Sequence, residues 1–229
     1  MTRTSSARVA GFTFLAYIAL AFPSTLLFDR AASGVGSAAR LASIAAHATD
    51  MRVAIVLTLI TCFAAIVLGV TLYAITREVD PDIAMVALAC RVGEGILAGI
   101  YLLTKLELLW LGTAAGPNAP DARSAQALGE LLFTGTRAWN IVISATFFAV
   151  GSLLFSWLLI RGRIIPVVLA WVGIVASTLL VVCLPLQLVG LIAEPITSLM
   201  WLPMLAFEVP LAFWLLIKGA QAPTRRQTV

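Results

Sequence analysis

The sequence predicts an all-α fold: a polytopic transmembrane helix bundle of six spans, with short amphipathic helices on its outer face. Three observations carry that prediction. Hydrophobic residues make up 61% of the chain and charged residues 11%, whereas a soluble domain is about half apolar and about a quarter charged. Mean hydropathy is +1.04, so lipid must cover most of the surface. The apolar residues fall into six uninterrupted runs, each with at least the ~20 residues that cross ~30 Å of hydrocarbon as a helix. A barrel would need alternating strands of ~10 residues, which these runs exclude.

The runs are 9–28, 51–76, 83–111, 138–160, 166–190 and 198–218, in a single integral membrane domain covering 1–229. Arg3 and Arg8 precede the first run, and Ala19, Leu20 and Ala21 imitate a cleavage site. The apolar run continues to Phe28, a span's length, so an uncleaved first helix is expected. "REVDPD" (77–82) closes the second span and opens the third. There Asp80 is placed to cap, Pro81 suits the first helical position, and Asp82 favours the positive end of the helix dipole. So short a turn makes the two spans antiparallel neighbours, and "RGRIIP" (161–166) does the same for the fourth and fifth.

Two segments outside the spans are also expected to be helical. "GSAARLASIAAHATD" (36–50) sets Leu41 and Ile44 on one side, suiting a short helix at the interface. "AQALGELLF" (125–133) sets Leu128, Leu131 and Leu132 opposite Gln126 and Glu130. Joined to the fourth run it would extend ~54 Å, too long for hydrocarbon alone, so a bend is expected near Gly135. The two segments together are expected to form a lid over the outer face.

Orientation follows from lysine and arginine placement. With a cytoplasmic N-terminus the inner side holds Arg3, Arg8, Arg77, Arg161, Arg163, Lys218, Arg225 and Arg226. The outer side holds Arg30, Arg40, Arg52 and Arg123, with Arg137 at the border. The bias of eight to four puts both termini in the cytoplasm and the chain in the inner (cytoplasmic) membrane. Positive charge clustered at helix ends reflects topology, and no nucleic-acid partner is expected. Cys62, Cys90 and Cys183 lie in apolar runs without ligand spacing, and His47 is the only histidine. Neither a metal site nor a cofactor is expected. "GEGILAG" (93–99) imitates a dinucleotide loop, but it lies mid-span with no preceding strand. Close helix packing through Gly95 and Gly99 is expected instead.

The third run carries charges where a span should have none. Arg91, Glu94, Ala98, Tyr101 and Lys105 follow steps of three and four, which places them on one helical face. Counting ~1.5 Å per residue from Asp82 puts Arg91 ~13 Å deep, Glu94 ~18 Å, and Lys105 ~34 Å, at the outer boundary. Such a stripe must face other helices or a wet cavity. Glu107 lies on another face, placed to reach the headgroups. In the sixth run Glu208, flanked by Pro203 and Pro210, lies ~15 Å from Lys218, at the depth of Arg91 and Glu94. Pro210 would free the carbonyl of Ala206. The fourth run adds Arg137, Asn140 and Ser144 on one face, and the fifth has Pro185 and Gln187 towards its outer end. The third, fourth and sixth spans thus form the expected walls of one site, comprising Arg91, Glu94, Glu208, Tyr101, Lys105, Arg137 and Asn140. Arg91 with Glu94 and Glu208 sums to −1, to be balanced by a shared proton, Arg137 or a cationic ligand.

Three stretches give the chain a likeness. "CRVGEG" (90–95), "FFAVGSLLFSWLLIRGRIIPVVLAWVGIV" (147–175) and "FEVPLAFWLLIKG" (207–219) resemble the domain of unknown function 4386 family of bacterial six-helix membrane proteins, over nearly the whole chain. The resemblance implies membrane location, architecture, and an arginine and two glutamates at Arg91, Glu94 and Glu208. Arg137 departs from it, standing where many members carry a histidine. It implies no activity.

Three functions fit these residues. The first is binding or transport of a small amphipathic or polar ligand from an outward-facing cavity, with Arg91 as anion anchor and Glu94 and Glu208 as proton-sensitive partners. The second is an intramembrane enzyme in which a protonated glutamate acts as general acid on a lipophilic, prenyl-like substrate, as in membrane terpene cyclases. No nucleophile or metal-ligand set accompanies it, so the balance is away from an enzyme. The third is an accessory or assembly subunit, self-associating or bound to a membrane-protein partner, whose charges only hold helices together.

Overall fold

The computed structural model describes residues 2–116 and 119–220; the side chains of 136–138 are outside that description. Arg225 and Arg226, counted above for orientation, are also outside it. Among the described residues the chain is helical throughout, without strands. The helices are α1 (Arg3–Ala31), α2 (Gly36–Ala46), α3 (Ala48–Thr76), α4 (Pro81–Thr113), α5 (Ala122–Glu130), α6 (Arg137–Arg161), α7 (Val167–Leu188), α8 (Glu194–Leu199) and α9 (Trp201–Ile217). Six stretches are long and apolar enough to cross a membrane: α1, α3, α4, the run from α5 through α6, α7, and α8 with α9. The chain is a multi-pass membrane protein. Its exposed side chains include Phe12, Phe22, Phe63, Val168 and Leu202, as a surface solvated by lipid allows. Helix is required there because lipid offers no partner to an open N–H or C=O.

Helices α1 and α4 run past their apolar stretches at both ends, and α3 does so at its start. Hydrophobicity ends at the headgroups, whereas a helix ends where its last backbone groups find a cap. At the start of α4, Asp80 Oδ1 accepts from Ile83 N at 3.2 Å and Pro81 is the first helical residue, as the sequence predicts. The other oxygen of Asp80 meets Arg161 Nη1 at 2.8 Å, tying the ends of α4 and α6. The bend expected near Gly135 coincides with a π-helical turn over Leu131–Thr136. The sixth span is divided, with α8 ahead of α9. Thr197 of α8 donates to Gln187 Oε1 at 2.7 Å, which accounts for a glutamine at the end of α7.

Two compact units make up the chain. The first comprises Met1–Tyr17, Ala64–Gly95 and Val142–Val229, the second Ile18–Phe63 and Ile96–Ile141. In the first, a core including Phe14, Leu68, Phe148, Phe155, Leu180, Phe207 and Leu211 is buried between helices, and α7 packs along α9. Two glycines permit close approach there. A Cβ on Gly11 would lie 2.5 Å from the carbonyl oxygen of Ala212, and one on Gly173 would lie 2.5 Å from the ring of Phe207. In the second unit, Leu41 and Ile44 of α2 are buried as expected, and a Cβ on Gly129 of α5 would come within 3.1 Å of Leu41. Leu128 and Leu131 are exposed, so Gly129, rather than the leucine face, is what α5 turns towards α2. Arg40 lies 4.0 Å over the Phe133 ring and donates to the carbonyl of Ala32 at 3.0 Å.

The glycine expectation for "GEGILAG" needs correction at Gly99. A Cβ on Gly99 would meet nothing within 4 Å, whereas one on Gly93 would lie 2.7 Å from the Phe147 ring. Spacing alone cannot say which of several glycines on a helix meets the neighbour. Gly11→Ala is expected to destabilise by about 1–3 kcal/mol, because the added methyl meets backbone that cannot move aside. Gly99→Ala should stay within about 1 kcal/mol of wild type, on the stabilising side. Thermal unfolding of both variants in detergent checks the contrast.

Asp121 caps α5, accepting from Arg123 N and Ser124 N at 3.0 Å each and from Ser124 Oγ at 2.7 Å. These bonds, chiefly to Ser124, hold its carboxyl below the ordinary carboxylate range. The folded value lies below the unfolded one, so the cap's contribution is complete above about pH 4 and is lost as pH falls. Protection of the Arg123 and Ser124 amides, measured against their intrinsic exchange rates, is expected to fall below that pH in wild type. In Asp121→Ala that protection should be low at every pH.

Candidate functional site

The first unit encloses the charges that the sequence singles out. Arg91 and Glu94, three residues apart on α4, form an ion pair with Nη1 2.8 Å from Oε2. Both are almost fully buried, at 1% and 3% exposure. Four other helices shape their surroundings. From α1, the Tyr17 hydroxyl donates to Glu94 Oε1 at 2.9 Å. From α6, Ser144 Oγ donates to the backbone carbonyl of Glu94 at 3.1 Å, and the Phe148 ring centre lies 5.0 Å from the Arg91 guanidinium. The Tyr17 ring lies 5.7 Å away. From α9, Glu208 is buried and interacts electrostatically with both Arg91 and Glu94.

Two glycines let the arginine stem through. A Cβ on Gly69 of α3 would lie 2.8 Å from Arg91 Cβ, and one on Gly151 of α6 would lie 3.3 Å from Arg91 Cδ. The stem is therefore fixed between two helix backbones, and the guanidinium is presented at a set place. Hydrogen bonding there is incomplete. Arg91 Nε and Nη2 and Glu208 Oε1 are buried without a partner among the described residues. Glu94 Oε2 is close to Nη1 but is not aligned as a hydrogen bond, so charge attraction holds that contact.

Lys105 and Tyr101 of the expected α4 stripe belong to the second unit, where they have contacts of their own. Lys105 is 3% exposed, inside a protein core instead of at an open boundary. Its Nζ donates to Thr58 Oγ1 at 2.7 Å and to Ser24 Oγ at 3.4 Å, and both hydroxyls also reach the carbonyl of Ala54. The Phe28 and Tyr101 rings each lie 5.2 Å from the ammonium and meet edge to face. Asn140 is half-buried and also belongs to the second unit. The side chain of Arg137 is outside the described residues. Glu107 is exposed, as expected. Among the described residues no three His, Cys, Asp or Glu side chains converge as metal ligands would.

Sequence reasoning missed Tyr17, Phe148, Gly69 and Gly151 in the first group, and Ser24 and Thr58 in the second. Tyr17 carried a signal: tyrosine favours the membrane interface, and one ~12 Å into a span must satisfy its hydroxyl inside the protein. The glycines and hydroxyls carried none, being ordinary residues of packed membrane helices.

Tyr17→Phe deletes one charged hydrogen bond and strands a buried carboxylate oxygen. It is expected to lower stability by about 1–3 kcal/mol, read as a fall in Tm in detergent. Tyr73→Phe, a tyrosine outside this group, should leave Tm nearly unchanged.

No curated protein and no solved structure matches the chain. The family model of a domain of unknown function, DUF4386, matches residues 9–219. With that match covering nearly all of six membrane-length helices and the buried arginine–glutamate group they enclose, the chain belongs to the DUF4386 family.

Proposed function

We propose that this protein binds or transports a small polar or amphipathic ligand at the group formed by Arg91, Glu94, Glu208 and Tyr17. We place it in the inner (cytoplasmic) membrane with both termini cytoplasmic and the site reached from the outer side, on the eight-to-four bias of basic residues. One observation carries the assignment: two arginine N–H-bearing nitrogens and one glutamate oxygen are buried and unpaired within the same cluster. A buried polar group without a partner costs about 1–3 kcal/mol, and more when charged. Donors and an acceptor held together at that cost suit a ligand that supplies both partners.

One observation favours the architectural alternative, in which the charges only fix helix register. Gly69 and Gly151 close around the Arg91 stem, as they would for a permanent strut. Native mass spectrometry of gently extracted protein, with chemical analysis of what it releases, separates the two. Beside it stands the Glu94→Gln/Glu208→Gln double variant. A defined molecule on wild type and none on the folded variant is the expected result. An empty wild type, with an Arg91/Glu94 charge swap restoring full stability, would establish the strut instead.

A further inference from the structure

We infer that the ligand of this site presents a carboxylate, docked side-on to the Nε–Nη2 edge of Arg91, together with a hydrogen-bond donor directed at Glu208. The inference rests on the binding role proposed above and narrows it to a chemical class. A guanidinium offers parallel pairs of N–H groups along its edges, and the side-on pair consists of Nε and Nη2. Glu94 occupies only Nη1, at 2.8 Å. Tyr17 holds the other oxygen of Glu94 at 2.9 Å, which keeps that carboxylate from turning to the side-on edge. Nε and Nη2 are the two arginine nitrogens left buried and unpaired.

Two oxygens in the guanidinium plane match both N–H groups with straight hydrogen bonds. A carboxylate offers them; a lone carbonyl, a hydroxyl or a halide serves both only through weaker, bent contacts. The Phe148 and Tyr17 ring centres lie 5.0 and 5.7 Å from the guanidinium carbon, so aromatic surface rather than a polar partner borders it there. Its position is not adjustable, because Gly69 and Gly151 confine the stem.

Charge selects among oxyanions. Glu94 and Glu208 already surround one guanidinium, so a dianionic phosphate would add two more negative charges. A carboxylate adds one, and a carboxylate carrying an ammonium adds none. The ammonium or a hydroxyl would also supply the donor that Glu208 Oε1 lacks. The carboxylate could belong to a free small molecule or to a fatty acid drawn from the bilayer, and the chemistry at Arg91 is the same.

The test is thermal stabilisation of purified full-length protein in nanodiscs, titrated with β-alanine, butyrate, palmitate, the methyl esters of butyrate and palmitate, and inorganic phosphate. At least one carboxylate is expected to raise Tm while its ester does not. β-Alanine or butyrate identifies a free ligand, and palmitate a membrane-derived one. Arg91→Lys keeps the charge but loses the two-pronged edge, so the apparent Kd should weaken at least about tenfold. For β-alanine, Glu208→Gln should weaken binding more than it does for butyrate. An ester as effective as its acid, phosphate binding more tightly than every carboxylate, or no response to any carboxylate overturns the inference. The ester comparison uses wild type alone, so it decides even if Arg91→Lys does not fold. A Glu208-dependent ligand found by native mass spectrometry with no carboxylate response would leave the binding role standing and remove this class. No ligand by either method would remove both.

Discussion

The first unit depends on one constraint: a guanidinium that cannot be left to lipid. Placing an arginine at the centre of a span costs about 2.5–3.5 kcal/mol even on insertion scales. The surrounding helices are arranged to offset that cost. Glu94, one turn further along α4, supplies the countercharge at 2.8 Å. Its own carboxylate is then held by Tyr17 from α1, and its backbone carbonyl by Ser144 from α6. Aromatic rings meet the guanidinium, and glycines on α3 and α6 give up their side-chain space to its stem. Several helix contacts in this unit thus follow from a single residue.

The second unit meets a similar difficulty with different chemistry. Lys105 is as buried as Arg91, but a compact ammonium suits hydroxyls and ring faces better than a planar fork does. Ser24 and Thr58, 2.8 Å apart, and the rings of Phe28 and Tyr101 provide both. The hydroxyls also anchor to the carbonyl of Ala54, so the lysine is held by groups already integrated into helix backbone. A buried cation with this surround organises the helices that carry it.

The architecture was legible because it rests on one strong signal, the length of apolar runs, and on local chemistry such as the Asp80–Pro81 start of α4. The core of the site was legible for the same reason: charges in a span stand out against apolar neighbours, and helical spacing put Arg91 and Glu94 together. Spacing could not show that Lys105, on the same face of α4, is surrounded by Ser24, Thr58, Phe28 and Tyr101. Periodicity describes one helix and says nothing of which neighbour covers each turn. Nor could it find Tyr17 or the glycines, whose roles exist only once other helices are packed against α4. The expectation at Gly99 failed likewise, since Gly93 and Gly99 both lie on α4 and only Gly93 meets Phe147.

The distribution of satisfied and unsatisfied groups distinguishes a strut from a site. A buried ion pair that only fixes register gains by satisfying every donor, and well-packed apolar residues often do the same work with greater stability. Here satisfaction is uneven. Glu94 is held at both ends of its carboxylate, by Arg91 and by Tyr17, whereas Arg91 keeps one whole edge unpaired and Glu208 keeps an oxygen unpaired. Glu94 is thus positioned as the fixed member of the cluster, holding the guanidinium in place. On the proposed binding role, the open edge and Glu208, contributed by different helices, are the members whose bonding would change when a ligand enters. An arrangement in which one carboxylate orients the arginine and another awaits a partner matches recognition of a two-ended ligand more closely than it matches a bolt between helices.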